Sequence, residues 1–336
     1  MRMLSFVFQG KFFFADNFTS VSENIARVRQ LFPNSEIILS TWKVERRKEK
    51  IIYESLKNLN IKVIFNQDPG ALIYQRGRYR WGTNINRMLV SSLAGIENST
   101  RSYVVKLRTD SYFYNKNIRR ILAKKIIIDR RYKRDPNFSI FDERVINCNL
   151  MARNSRSYRP FLFHPGDIML IGRKADLINF YAVPLADKQL FKTVIIGSIF
   201  TLLKYVPEQY MWVFCIKNKT NKLVFTGNDD NSQKSKFLSE NYFINNFIPL
   251  NCFQLGFNWP KYTTTYRKRG YGSLFFFEDW IALNSQYSKK NNSSSDRYTF
   301  IYNMKVKLFT FLYFLSYLPL RCKIIRFFIM NLKSRE

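Results

Sequence analysis

Histidine is nearly missing from this chain: His164 is the single one in 336 residues. A metal site built from several imidazoles is therefore excluded. Cysteine is scarce as well. Cys148, Cys215, Cys252 and Cys322 lie far apart in the chain and form no Cys-x-x-Cys pair, which speaks against a secreted disulfide framework and against a thiolate zinc site. Acidic residues are few, 24 against 55 Lys and Arg, and the formal net charge is +31. Such an excess points to nucleic acid, an anionic membrane surface or polyanionic substrates. Part of it is also what an AT-rich coding sequence, with its abundance of Lys, Asn, Ile and Phe, would produce. No apolar run reaches the roughly 20 residues of a spanning helix; the densest, Leu308 to Leu320, is short and interrupted by Pro319. The segment MRMLSFVFQGKFFF shows no small-residue cleavage site, so the chain is expected in the reducing cytoplasm.

What is present is apolar and patterned. Apolar residues make up 46% of the chain, with 32 Phe and 20 Tyr, enough to bury a core. Leu4 to Phe8, Glu36 to Trp42 (EIILSTW), Lys62 to Asn66 (KVIFN) and Tyr103 to Leu107 (YVVKL) read as strands. Helical spacing between them, over Ser22 to Phe32 and Asn84 to Ile96, predicts βαβ units and a mostly parallel sheet. Ligands in such sheets bind outside the carboxyl ends of the strands, which places Gln9-Gly10, Trp42, Asp68 and Asp110 around one crevice. Further on, Phe161 to Arg173 reads as a loop entering a buried strand, and Ala175 to Val183 and Pro207 to Lys217 as helices. Asn228 to Ser239 reads as a surface loop. The expected organisation is an α/β domain over residues 1–285, a linker at 286–297 (QYSKKNNSSSDR) and a basic amphipathic tail at 298–336. Arg321, Lys323, Arg326 and Lys333 alternate there with apolar residues, so the tail either lies in a membrane interface or packs on the domain as a helix.

Several side chains suit sugar-phosphate chemistry. Asp110, after Arg108 at the end of a buried strand, either caps a turn or holds a divalent cation against a diphosphate. His164 and Asp167 flank a Pro-Gly turn before the next strand; a lone histidine is often purely structural, but this turn presents both groups at a strand mouth. Glu208 falls in the first turn of a helix. There the dipole favours a carboxylate on structural grounds and would also keep a catalytic base ionised at neutral pH. On that reading Glu208 is the base and Asp167 grips acceptor hydroxyls. Asn86 and Arg87 stand near a helix start suited to phosphate, with Arg78 in a basic loop upstream; both arginines hold a diphosphate or form a solvated face.

EIILSTWK, the Asp-Pro-Gly after the third strand, NINRMLVSSLAGI, KLRTDSYF, FHPGDIMLIG and PEQYMW, in this order, resemble the WavE-type lipopolysaccharide biosynthesis family, over about Ser5 to Trp212. The tail lies outside the resemblance. Its members are regarded as glycosyltransferases of GT-A-like fold. The resemblance implies a nucleotide-sugar donor, an oligosaccharide or lipid-linked acceptor, and a role in lipopolysaccharide core, O-antigen or capsule assembly at the inner face of the cytoplasmic membrane. It makes Asp110 the aspartate for Mg²⁺ or Mn²⁺, with His164, Asp167 and Glu208 lining the site. Gln9, Asp68, Arg78, Asn86, Arg87 and Arg108 are read toward the donor from their own places at strand ends, the helix start and the basic loop. Arg108 stands where an Asp-x-Asp pattern would have its first acid. A basic nucleic-acid-binding protein would explain the charge but not acids at successive strand ends, and no such motif is present. A non-catalytic scaffold of polysaccharide assembly is the other alternative.

Overall fold

The computed structural model describes residues 4–14, 20–76, 79–196, 199–262, 266, 270–288, 293–320 and 322. The amino-terminal part runs β1 (Leu4–Gln9), α1 (Val21–Leu31), β2 (Glu36–Trp42), α2 (Arg46–Leu56) and β3 (Lys62–Asn66), with the three strands paired in parallel. β1 is buried along its whole length, as a central parallel strand covered on both faces must be. The side chain of Ser20 accepts from the Glu23 N–H and starts α1. β4 (Leu72–Arg76) and β5 (Tyr79–Thr83) form an antiparallel hairpin where the sequence was read as a basic loop, and Arg78 lies outside the described residues. α3 (Ile85–Glu97) then crosses β1, β2 and β3. It lies very close: a Cβ on Gly95 would stand 2.4 Å from Val7 Cγ1, so no larger residue fits at this crossing.

β6 (Tyr103–Arg108) returns to the sheet beside β1. Next come β7 (Tyr112–Phe113), α4 (Asn117–Arg131), β8 (Val145–Cys148), β9 (Met169–Arg173) and α5 (Lys174–Tyr181). A second hairpin, β10 (Phe191–Ile196) and β11 (Ile199–Leu203), precedes α6 (Pro207–Thr220), α7 (Gln233–Asn246) and β12 (Phe247–Leu250). The chain continues through α8 (Cys252–Leu255), β13 (Phe257–Asn258), α9 (Tyr271–Ser273), α10 (Phe277–Ser288) and α11 (Ser293–Leu320).

Among the described residues, seven strands form one sheet in the order β12-β8-β9-β6-β1-β2-β3. β9 is antiparallel to both its neighbours and every other pair is parallel, so the expected mostly parallel α/β fold is what the chain adopts. This reversal has a consequence for the site. The carboxyl ends of β1, β6 and β8 share an edge with the amino end of β9, because Leu107 pairs with Met169. The loop 161–168 therefore arrives beside the end of β6.

Three expectations need correction. The loop expected at Asn228 to Ser239 is loop only as far as Ser232, whose side chain caps α7 by accepting from Ser235 N–H. Most of the expected linker is helical: residues 286–288 end α10, residues 293–297 begin α11, and 289–292 lie outside the described residues. α11 also runs through Pro319 to Leu320 and is not separate from the body. It packs on α10, burying Tyr302 and Phe309, and Lys305 Nζ pairs with Asp279 at 2.7 Å. Of the basic positions beyond it, 321 and 323–336 are outside the described residues. No helix among the described residues is long and apolar enough to cross a membrane.

Candidate active site

The most unusual residue in the core is Lys106. β6 is buried on both faces, and a charged side chain in its middle is tolerable only with a partner. Lys106 Nζ donates to the Asp167 carbonyl at 2.6 Å and to its carboxylate Oδ2 at 3.1 Å, and lies 5.3 Å from the centre of the Tyr181 ring. The two side chains are 0% and 3% exposed. Burial lowers the pKa of Lys106 and the Asp167 carboxylate opposes that shift.

Asp167 is delivered by a tightly held turn. Phe163 and Gly166 both take positive φ, 53° and 74°. A Cβ on Gly166 would sit 3.0 Å from the Ala152 nitrogen, so glycine is required both for conformation and for space. The Arg153 N–H donates to the His164 carbonyl at 2.9 Å and Asn147 Nδ2 to the Pro165 carbonyl at 2.5 Å, which anchors the turn on the segment after β8.

Glu208 comes from the opposite side, in the first turn of α6. Pro207 is preset for that turn, and Gln209 Oε1 accepts from the Val206 N–H at 2.9 Å. Gln209 Nε2 also donates to the Leu162 carbonyl at 2.7 Å, fastening the helix to the His164–Asp167 turn. Glu208 Oε2 thereby lies 3.6 Å from His164 Nε2. The dipole was expected to keep Glu208 ionised. Burial wins instead and, with the Asp167 charge beside it, pushes the Glu208 pKa up to about 7 against weaker opposition from its own backbone N–H at the helix start and from Arg153 and Lys106. His164 moves the other way, down to about 3, through burial and then the charge of Arg153, and so stays a neutral imidazole near pH 7. Asp167, expected to grip acceptor hydroxyls, is enclosed with Lys106, while Glu208 retains 15% exposure.

At the end of β6, Arg108 turns back on Asp110. Its Nε and Nη2 donate to the two carboxylate oxygens at 2.8 and 3.0 Å, and the guanidinium lies 4.9 Å from the Trp259 ring centre. The charge of Asp167 also reaches Arg108, which joins this pair electrostatically to the inner cluster. Gln9 pairs in register with Arg108, and its buried Oε1 has no partner among the described residues. A divalent cation at Asp110 meets a poor donor set. Both carboxylate oxygens are taken by a cation already in the chain, and among the described residues no three His, Cys, Asp or Glu side chains gather to hold a metal. The expectation of Mg²⁺ or Mn²⁺ at Asp110 does not fit these residues.

The other expected donor residues stand apart from this cluster in their contacts. Asp68 receives Arg87 Nε and Nη2 at 2.8 and 2.7 Å, and Arg87 Nη1 also donates to Asn84. That hydrogen bonding is the main influence holding the Asp68 pKa below the usual carboxylate range. Asn86 both donates to the Ala186 carbonyl and accepts from its N–H, so its amide is spent on joining α3 to the segment after α5. Lys106 and Arg153 escaped the sequence reading. The available signal was a lysine within the otherwise apolar YVVKL, a position that demands a buried anion.

The chain is thus an open, mostly parallel α/β sheet with linked charged clusters at one strand edge, the edge at which sheets of this class bind ligands. This chain belongs to the WavE lipopolysaccharide synthesis family, whose family model matches residues 4–313. The match reaches well past Trp212, where the sequence resemblance had stopped, and takes in most of α11. No curated protein sequence matches the chain. Among solved structures it is similar to a cytidylyltransferase from Leptospira borgpetersenii serovar Hardjo-bovis, at 11% identity and TM-score 0.34, covering 92% of this chain and 97% of that one. It is also similar to mouse xyloside xylosyltransferase 1, at 11% identity and TM-score 0.33, covering 75% and 85%. A mannosyltransferase from Pyrobaculum calidifontis, solved with GDP-Man and Mn²⁺, is similar at 9% identity and TM-score 0.30, covering 55% and 47%. At such scores these likenesses carry no chemistry across.

Proposed function

We propose that this protein is a glycosyltransferase of GT-A-like architecture that moves a sugar from a nucleotide donor to an oligosaccharide or lipid-linked acceptor in lipopolysaccharide assembly. The observation that carries the reading is the Glu208 carboxylate, in a protein of a lipopolysaccharide synthesis family, held beside neutral His164 and the Lys106–Asp167 pair. Sugar transfer needs a group that takes the acceptor hydroxyl's proton as the glycosidic bond forms. A base with a pKa near the working pH does this best, and burial has moved Glu208 there. His164 limits how Glu208 can turn, and Asp167, fixed by Lys106, keeps a negative charge near it that strengthens it as a base. The crevice at the ends of β1 and β6 then belongs to the donor, with Gln9, Arg108 and Asp110, while Asp68 and Arg87 sit after β3 at the start of α3. Glycosyl transfer from a panel of UDP-, GDP- and CMP-sugars to lipopolysaccharide precursors tests the reading. One donor should be consumed with formation of a longer glycan; hydrolysis or transfer from none of them would reject it.

The acceptor's setting is the anionic cytoplasmic membrane face, and α11 is the surface that meets it. With one side packed on α10, α11 exposes Phe300, Ile301, Met304, Leu308, Phe311 and Leu315, repeating at three- and four-residue spacing. A net charge of +31 opposes pairing with a second copy and favours anionic lipid. Each Lys or Arg near such a surface contributes about 1 kcal/mol. The protein should co-sediment with phosphatidylglycerol vesicles, less so in high salt, and Leu308→Glu with Phe311→Glu should weaken this at least about tenfold at unchanged Tm. A wild-type protein that ignores these vesicles and elutes as a dimer would assign the face to a second copy instead.

A further inference from the structure

The donor's diphosphate carries two negative charges and gains a third as the sugar leaves, and the residues at the end of β6 offer a cation of their own. We infer that Arg108, held in place by Asp110, takes the part of a divalent metal: it binds the diphosphate of the nucleotide donor and steadies the departing nucleoside diphosphate, so that transfer proceeds without a bound cation. The inference rests on the sugar-transfer reading above and deepens it.

Four observations support it. First, Arg108 occupies the place of the first acid in an Asp-x-Asp pattern, which replaces a metal ligand by a permanent positive charge. Secondly, Asp110 is spent on Nε and Nη2 of that guanidinium. A cation would have to break a two-pronged pair whose carboxylate is only 8% exposed. Used this way, the aspartate aims the guanidinium: a planar fork fixed along one edge presents its remaining N–H groups in a defined direction, and guanidinium geometry suits phosphate oxygens. Thirdly, Trp259 lies 4.9 Å from the guanidinium and limits where it can go. Fourthly, Gln9, next to Arg108 in register, is 5% exposed and has an Oε1 without a partner among the described residues. A buried acceptor left open at a strand end is suited to a donor group on a ligand, such as a ribose hydroxyl or a base N–H. The bookkeeping of the step is plain. The anomeric carbon–oxygen bond to the diphosphate breaks with both electrons going to the phosphate oxygen, whose charge Arg108 meets. The acceptor oxygen forms the new bond and its proton goes to Glu208.

Calorimetric titration with UDP, GDP and CMP, in EDTA and again in Mn²⁺, separates the possibilities. One nucleoside diphosphate, UDP or GDP, should bind with affinities in the two buffers that agree within about twofold, whereas binding of CMP alone, which has no diphosphate, would overturn the inference. Loss of the charge-assisted contacts in Arg108→Ala should weaken diphosphate binding by on the order of 10- to 100-fold. Arg108→Lys should recover part of that loss, since it restores charge without the fork. Asp110→Asn should cost less than Arg108→Ala, because it loosens the guanidinium but leaves it present. Nucleotide binding that needs Mn²⁺ and vanishes in Asp110→Asn would overturn the inference and leave sugar transfer standing. Failure of all three nucleotides to bind in either buffer would remove the sugar-transfer reading, and this inference with it. The wild-type comparison in EDTA and Mn²⁺ decides the matter even if an Arg108 variant fails to fold.

Discussion

Glu208→Gln should lower kcat by about 10²- to 10⁴-fold, the usual worth of a general base, with donor affinity nearly unchanged. The amide keeps the shape and polarity of the carboxylate but cannot take a proton. The pH dependence is the sharper check. Wild-type activity requires ionised Glu208 and should rise through pH about 7, because burial and the Asp167 charge hold the group protonated below that. The residual activity of the glutamine variant should lack this rise. Stability should run the opposite way. The ordinary value is 4.5 and the folded one about 7, so between them the folded protein keeps a proton that the unfolded chain has lost. Favourable free energy from this group is present in full at low pH and is lost as pH climbs through that window. Thermal melts at pH 5 and pH 8 would show it as a decrease in Tm that is smaller in Glu208→Gln. Unchanged kcat in the variant would remove Glu208 from the mechanism.

Lys106→Met should destabilise the protein by about 3–5 kcal/mol, the range found when one member of a buried ion pair is removed. The cause is not the lost attraction alone. Asp167 would be left enclosed with a charge and no cation beside it, since the Lys106 and Asp167 side chains are 0% and 3% exposed. Adding Asp167→Asn to Lys106→Met should recover much of the loss, because a neutral amide is far cheaper to bury unpaired. Denaturant midpoints of the wild type, the two single variants and the double variant complete the cycle. A single variant as stable as wild type would mean that water reaches the pair and that Lys106 does not hold Asp167. Any activity that survives in Lys106→Met should need a higher pH, as Lys106 is one of the charges that restrain the rise in the Glu208 pKa.

In the amino-terminal half β1, β2, β3, β6, α1 and α3 were legible to within a residue or two, while the β4–β5 hairpin, β7, α4 and β8 were not. Apolar runs such as EIILSTW and KVIFN can do little but form buried strands, and β2 and β3 begin and end where the sequence placed them. The later strands were harder. VINC of β8 and FIPL of β12 are four residues each, too short to carry a period, and they become strands only because β9 and β8 offer them an edge. The serine- and asparagine-rich stretch at 286–297 has the composition of a linker, yet most of it is helical, since the packing of α11 on α10 outweighs local preference.

The candidate site divides along the same line. By itself the sequence determined the strongly patterned strands and helices of the first βαβ units, the chemistry available at their ends and the great excess of positive charge, because these depend on neighbours within a few residues. Only the tertiary structure decided which charges meet. It joined Lys106 to Asp167 across 61 positions, set His164 against Glu208, and placed the sulfurs of Cys148 and Cys252, 104 residues apart, 3.5 Å from each other. It also reversed the expected behaviour of Glu208. A helix start stabilises a carboxylate through local dipoles that the sequence displays, whereas burial and a second carboxylate, Asp167, brought in on the 161–168 loop, raise its pKa. Desolvation depends on everything packed around a group, and that is set only when the sheet closes.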